Sequence, residues 1–401
     1  MFKLRSISKK DYDKYSKKNI DITSFMHSSA WGEFEKVTNN VTPHYLGLIN
    51  ENNKVVAATL LLEEHLPLNI CNLYAPRGFI IDYKNKELLN IFTQKLKNFA
   101  KVKKATSIRI NPELEYKIYD NKNNEQTNKH TENMLSQLKE LNYKKKSNIK
   151  LLEYNLRIDL TKDIKEIEKN FSKNLKSKLE KTKYYNIELV EGTEKDFNEL
   201  LKTQNENNKK YYETLYDIFK DNEQTKIKLF LGNLHITKTL KALEKEQKKI
   251  INQISIIPID NLDATSKEKL TNLRSEKEKL TKDIEKFRHY KIKYGNSMTI
   301  CTALFMEHHN KVWTISETNN NISTETNLDY NIYYEYIKYY IDKGFTNFYQ
   351  LSPIEHNPNI NKFKREFGGE FTEYIGEFDL ITNKFYYFLE KKLIPFLKKE
   401  E

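Results

Sequence analysis

The sequence predicts a mixed α/β protein built from two successive units, with an antiparallel helical hairpin set into the second. Three observations carry this. Helical and extended patterns alternate once over 22–160 and again after 160. Two heptad seams stand between the halves of the second round. With 38% apolar residues, only 10 Gly and 8 Pro in 401 residues, the chain can bury real cores and is not low-complexity. A chain this long exceeds one ordinary core, so two units are expected.

The first round runs from helical SSAWGEFEKV through extended HYLGLI and KVVAATLLL to a turn-rich NLYAPRG, a helix over 84–102 and extended TSIRINPEL. Polar DNKNNEQTNKHTEN at 120–133 is expected to be a loop, followed by a short helix over 133–140 and a boundary near 150. The second round opens with a Lys-rich helix, extended NIELVEG and a helical stretch from Asp196, and resumes at 295–316 as strands, with a helix over 328–343. This divides the chain into 1–150, 151–237 with 294–401, and the hairpin 238–293. The two rounds share an order of elements, which suggests related units.

In the hairpin, Leu240, Leu243, Ile250, Ile254 and Ile257 form one seam, and Leu270, Leu273, Leu280, Ile284 and Phe287 the other. Pro258 and the polar residues after it fold the arms back on each other. Each seam has one polar break, Gln247 and Lys277, and placing these in one layer predicts the register. The hairpin holds 15 Lys or Arg against 9 Asp or Glu, an excess of six out of a net +12 for the chain. Its lysines, Lys245, Lys248, Lys249 and Lys277 among them, are candidates for contact with a phosphate backbone, although a solvated coiled coil is also Lys/Glu-rich.

The basic balance, with a pI near 9.1, suits a polyanionic partner such as nucleic acid or a lipid headgroup surface. An AT-rich, Lys- and Asn-rich composition explains it equally well. Cys71 and Cys301 fit neither a disulfide framework nor a zinc site, and the apolar runs are strand-sized, so a cytoplasmic protein is expected. Clustered metal ligands, a P-loop, a dinucleotide fingerprint and a nucleophile elbow are all lacking in the sequence. No metal, no cofactor and no covalent enzyme intermediate are expected. The dense segment NKFKREFGGEFTEYIGEFDL, 361–380, can present Lys364 and Arg365 to an anion while Phe363 and Phe367 anchor it, or can be the packing of a final strand.

Several blocks in order resemble the Fem family of aminoacyltransferases, which build interpeptide bridges of peptidoglycan. They are FMHSSAWGEFEK (25–36), YAPRGFIIDY (74–83), IRINPE (108–113), FSKNLKSKLEK (171–181) and FKREFGGEFTEYIGEFD (363–379). The resemblance implies tandem folds like GCN5-related acetyltransferases with an inserted coiled-coil hairpin. It also implies aminolysis of an aminoacyl-tRNA ester by an amine of a lipid-linked or UDP-linked muramyl-peptide precursor, without cofactor or DNA and with a possible peripheral place at the inner membrane face. By the same resemblance Lys364 with Phe363 stabilises charge at the reacting ester, and Arg365 adds to the tRNA contact. Lys36 holds the precursor's diphosphate. Thr203 lies on the same substrate, with Lys209 or Lys210 standing in for the family's nearby arginine and Tyr211 also on that substrate. Asn111 replaces an acid that has been considered as a base, and an amide cannot accept the proton. The alternatives are a non-catalytic RNA-binding or coiled-coil adaptor and an acyl-CoA-dependent N-acyltransferase. The latter lacks its glycine-rich pyrophosphate loop here. Oligomeric state is left open.

Overall fold

The computed structural model describes residues 2–120, 124–146, 154–202, 204–258, 263–350 and 362–393. The chain begins with β1 (Lys3–Ser6), α1 (Lys9–Lys18), α2 (Ser29–Asn39), β2 (Thr42–Ile49), β3 (Val55–Leu66), β4 (Ile70–Ala75), α3 (Lys86–Val102) and β5 (Ala105–Ile110). There follow β6 (Glu115–Tyr119), β7 (Glu125–Thr127), α4 (Lys129–Glu140), β8 (Tyr143–Lys145), β9 (Tyr154–Asp159), α5 (Ile164–Lys169), α6 (Lys173–Lys181) and β10 (Ile187–Glu191). Next are α7 (Glu194–Lys202), α8 (Glu206–Phe219), β11 (Thr225–Leu234), α9 (Ile236–Ile256), α10 (Ala264–Tyr294), β12 (Met298–His308) and β13 (Lys311–Asn319). The last are α11 (Asn321–Thr326), α12 (Leu328–Asp342), β14 (Asn347–Gln350), α13 (Lys362–Arg365), β15 (Glu370–Tyr374), β16 (Phe378–Ile381) and α14 (Lys384–Phe388).

Two sheets result, in the orders β1-β2-β3-β4-β5-β16-β8 and β10-β11-β12-β13-β14-β9-β15-β6-β7. In each, the first four strands are antiparallel neighbours and the fourth pairs parallel with the fifth, β4 with β5 and β13 with β14. A parallel pair needs a long crossover, supplied by α3 in the first sheet and by α11 and α12 in the second. The repeat suspected from the order of elements is thus a repeat of topology.

The sheets do not follow the division of the chain expected at 150. Residue 150 itself lies outside the described residues, but the exchange around it is clear. Hairpin β6–β7 leaves the first half to extend the second sheet, through β15, and the C-terminal β16 crosses back between β5 and β8. Pairing of strands more than 200 residues apart leaves no trace in local periodicity. The expected loop at 120–133 also contains β7 and the start of α4, whose cap is Asn128, its side chain accepting from the His130 amide.

A shared core joins the two units. Phe25 lies between Trp31 of α2 and Trp313 of β13, with ring centroids 5.2 Å from each, and Trp313 stacks on Tyr349 at 5.1 Å. Lys311 is buried at the same seam, where its ammonium donates to the carbonyls of Ile20, Asp21 and Thr23 at 2.9–3.0 Å. Three donors meet three acceptors, so the charge is solvated by backbone rather than stranded.

The hairpin forms as expected, with Leu240, Leu243, Ile250, Leu270, Leu280, Ile284 and Phe287 buried. Its register differs. Gln247 donates to Thr281 at 2.8 Å and Arg288 pairs with Glu244 at 2.8 Å, while Lys277 is exposed. The arms are offset by about one helical turn from the polar-layer alignment. The amide finds a neutral hydroxyl, and the ammonium keeps its water. Phe287 packs on Tyr185 at 4.7 Å where the hairpin joins the second unit, a bulky contact that outweighs one polar layer.

Candidate active site

The segment 362–369 is shaped by its aromatics and glycines. Phe363 and Phe367, one turn apart, enter an aromatic cluster: Phe363 lies 4.4 Å from Tyr330, and Phe367 lies 4.5 Å from Tyr333 and 5.6 Å from Phe171. The chain then turns at Gly368, whose φ of +74° favours glycine, and a Cβ there would stand 2.5 Å from the Asn170 Cβ. Glu366 is held by both carboxylate oxygens on the Asn174 amide, at 2.8 and 3.0 Å, tying the segment to the Lys-rich α6. Phe363 is therefore an anchor, and Lys364 the group it presents.

Lys364 faces Glu317 of β13. Burial pushes its ammonium below the ordinary lysine range, and Glu317 opposes that shift. Burial pushes the Glu317 carboxyl up, opposed by Lys364 and by a hydrogen bond from Asn319. Asp329, in the first turn of α12, is pushed up to about 6 by burial, against the amide of Tyr330 and the nearby Lys178. Lys178 itself sits 3.6 Å over the Tyr330 ring. One oxygen each of Glu317 and Asp329 is buried without a hydrogen-bond partner. Acid and base thus alternate in a half-dry site that lies beyond the described β13–β14 pairing, Lys311 to Thr314 with Asn347 to Gln350. The far ends of such a parallel pair are where open α/β sheets place ligands.

The corresponding place in the first unit lies beyond Ala75 and Ile110. Arg77, at a positive φ of 58°, is buried there with its Nε 3.3 Å from Glu113 and its guanidinium 5.9 Å from the Tyr374 ring. Asn111 is buried beside them. His27 lies in the same neighbourhood, and burial with the adjacent Arg77 and Lys311 charges pushes its pKa down to about 3, so it is neutral. A cavity of about 350 Å³ opens next to this loop, with Trp31, Tyr74, Pro76, Glu35 and Glu64 in its walls. Along β13, Trp313 at the seam and Glu317 beside Lys364 are four residues, roughly 13 Å, apart.

Other expected site residues fall in several places. Tyr211 on α8 packs against Phe34 of α2 at 5.2 Å, and burial, Tyr212 and Glu35 push its hydroxyl up to about 12. Lys36 is on the exposed face of α2, whereas Glu35 lines the cavity. Lys209 and Lys210 precede Tyr211 on α8, and Lys210 is exposed. Thr203 lies outside the described residues. Arg365 is seated 4.9 Å over the Phe371 ring. Lys245, Lys248, Lys249 and Lys277 are exposed on the hairpin, Lys249 paired with Glu246 at 2.7 Å. None of these four lines the groove of about 660 Å³ between α10 and residues 180–185, whose lysines are Lys181, Lys183, Lys279, Lys282 and Lys286.

A family model described as the FemAB family matches residues 7–394. The chain belongs to the FemAB family. It is 23% identical over 399 residues to the aminoacyltransferase FemA of Staphylococcus epidermidis, spanning 92% of this chain and 95% of that one. To FemA of Staphylococcus aureus it is 22% identical over 382 residues, 88% and 90% of the two chains. The crystal structure of FemX superposes with a TM-score of 0.74 at 19% identity, over 97% of this chain and 99% of that one, a likeness of fold. In this FemAB chain, sequence reasoning found Lys364 and its anchors but missed Glu317, Asp329, Arg77 and Glu113. The last two stand inside quoted blocks, YAPRG and RINPE, and were legible there; Glu317 and Asp329 sit in unremarkable text, ISETNNN and TNLDY.

Proposed function

We infer that the protein is an aminoacyltransferase that moves an amino acid from aminoacyl-tRNA to an amine of a peptidoglycan precursor's stem peptide, forming interpeptide bridges. Membership of the FemAB family over nearly the whole chain is the observation that carries this reading. In the reaction the uncharged amine nitrogen attacks the ester carbonyl, the bond to the ribose oxygen breaks, and the proton lost by nitrogen ends on that oxygen. Such a step needs positioning and a cation near the developing negative charge.

Lys364 supplies that cation, presented by Phe363 and Phe367 at the end of the second parallel pair. The aromatic and acidic cavity of the first unit takes the acceptor, with Trp31, Tyr74 and Glu35 around the peptide and Tyr211 at its rim. Lys36, exposed on the same helix, is placed to meet an anionic part of the precursor outside the cavity, and Lys209 and Lys210 to do so from α8. The exposed hairpin lysines and Arg365 favour the tRNA backbone. Asn111 cannot take the amine's proton, so the proton is relayed through water or the precursor itself to the departing ribose oxygen.

The test is to incubate the protein with tRNAs charged with a labelled amino-acid mixture and with either a lipid-linked or a UDP-linked muramyl-pentapeptide. Mass spectrometry of the acceptor then reports both transfer and the identity of the residue added. No label in either acceptor would sink the reading.

A further inference from the structure

Four large apolar side chains that the fold leaves in solvent converge on one end of the first sheet. Leu68 is 54% exposed, Val102 83%, Phe385 64% and Phe388 58%. Leu68 lies in the β3–β4 turn, Val102 ends α3, and the two phenylalanines belong to α14. Backbone bonds gather these segments. The Cys71 amide donates to Lys104, and the Thr382 and Asn383 amides both donate to Thr106 at 3.0 and 3.4 Å. Glu390, just past α14, accepts from Thr106 and from Asn72. Leu68, Val102 and Phe385 each stand two or three residues from an anchor, so each is within about 10 Å of it.

The patch is ringed by cations. Lys101, Lys104, Lys384 and Lys392 are exposed around it. Lys103 and Lys391 are held by Glu63 and Glu390, at 3.0 and 2.8 Å, and both carboxylates are largely covered. Leu68 also carries a positive φ of 67°, a conformation that opposes a leucine, yet the turn keeps it outside. Single exposed apolar residues need no explanation, but four together inside a lysine ring do.

We propose that this end of the first unit docks the protein on an anionic bilayer surface, with Leu68, Val102, Phe385 and Phe388 entering the headgroup layer and the lysines meeting lipid phosphates. Apolar insertion combined with basic residues is the arrangement of proteins that lie on membranes without spanning them. No described helix is long and apolar enough to span one. The cleft beyond Ala75 stands at the other end of β4, roughly 20 Å away, a height that a stem peptide rising from the bilayer can reach. That last point rests on the proposed acceptor; the docking itself does not.

Flotation of the full chain with vesicles containing about one-third phosphatidylglycerol, against pure phosphatidylcholine vesicles, tests it. Wild type should float with the anionic vesicles and less so at high salt. The double substitution Phe385→Ser with Phe388→Ser should weaken partitioning at least about tenfold. Because those rings flank a helix, Leu68→Asn is the second variant: asparagine suits the positive φ, so the fold is kept while an inserted side chain is lost. Both should retain wild-type transfer to a soluble acceptor, which separates failed docking from a failed transferase reading. Absence of flotation, flotation unchanged in both variants, or a monomer–dimer shift in the variants without any wild-type flotation would overturn the proposal.

Discussion

The two parallel strand pairs, β4–β5 and β13–β14, are the same device built twice, and their far ends differ in chemistry. Beyond β13–β14 a lysine faces a buried glutamate inside an aromatic cluster. Beyond β4–β5 the arginine pairs through its Nε with Glu113, and the adjacent cavity is walled by tryptophan, tyrosine and two glutamates. A lysine set against a buried glutamate suits an ester about to develop negative charge, and an acidic, aromatic cavity suits a peptide carrying an amine. One topology is used twice on a shared core, and under the proposed function the side chains at the two far ends divide donor from acceptor.

The division makes predictions, the largest at the donor end. Lys364→Met should lower single-turnover transfer by about 100-fold or more with little change in thermal stability, as for loss of one charge-stabilising donor; turnover near wild type would break the asymmetry. Gly368→Ala forces a side chain onto Asn170 at a positive φ, and should cost about 2 kcal/mol or more in chemical denaturation, with transfer falling alongside. Glu317→Gln sharpens the donor side through pH. Glu317 raises the Lys364 pKa, so its removal lets the ammonium deprotonate earlier, and the alkaline limb of the rate profile should move to lower pH. A limb that stays put would assign it to another group.

At the acceptor end, Glu35→Gln should raise the KM for precursor by several-fold and leave that for aminoacyl-tRNA unchanged; an equal effect on both would mean the cavity is not the acceptor's. The smallest effect belongs to Asp329. Its folded pKa of about 6 lies above the unfolded value, so the folded state binds the extra proton and stability falls as pH rises through roughly 4 to 6. Asp329→Asn should therefore stabilise the protein above pH 6, by about 1 kcal/mol once partial solvation is allowed for, and have no effect near pH 3.

Much of this was legible in the chain. Heptad spacing located the hairpin, since a seam of Leu and Ile must find a partner. The repeated order of elements foresaw the repeated topology, and FKREFGG pointed to Lys364 with two aromatic anchors. The reason for the glycine pair in that block is not legible locally: Gly368 lies against Asn170 and Gly369 against the Arg157 carbonyl, both about 200 residues earlier. Glu35 was passed over for its neighbour Lys36, because one step along a helix turns a side chain by about 100° and only packing against the first sheet shows which of the two faces the cavity.

By itself, then, the sequence determined the local elements, the hairpin, the broad class of fold and the block that carries the lysine. These follow from periodicity, turn chemistry and residue type, which act over a few residues. Only the tertiary structure decided that β16 returns to the first sheet and β6–β7 joins the second, that Gln247 meets Thr281, and that Glu317 stands before Lys364. Those outcomes depend on contacts distant in sequence, where the competing arrangements differ by the fit of whole surfaces and no local pattern distinguishes them.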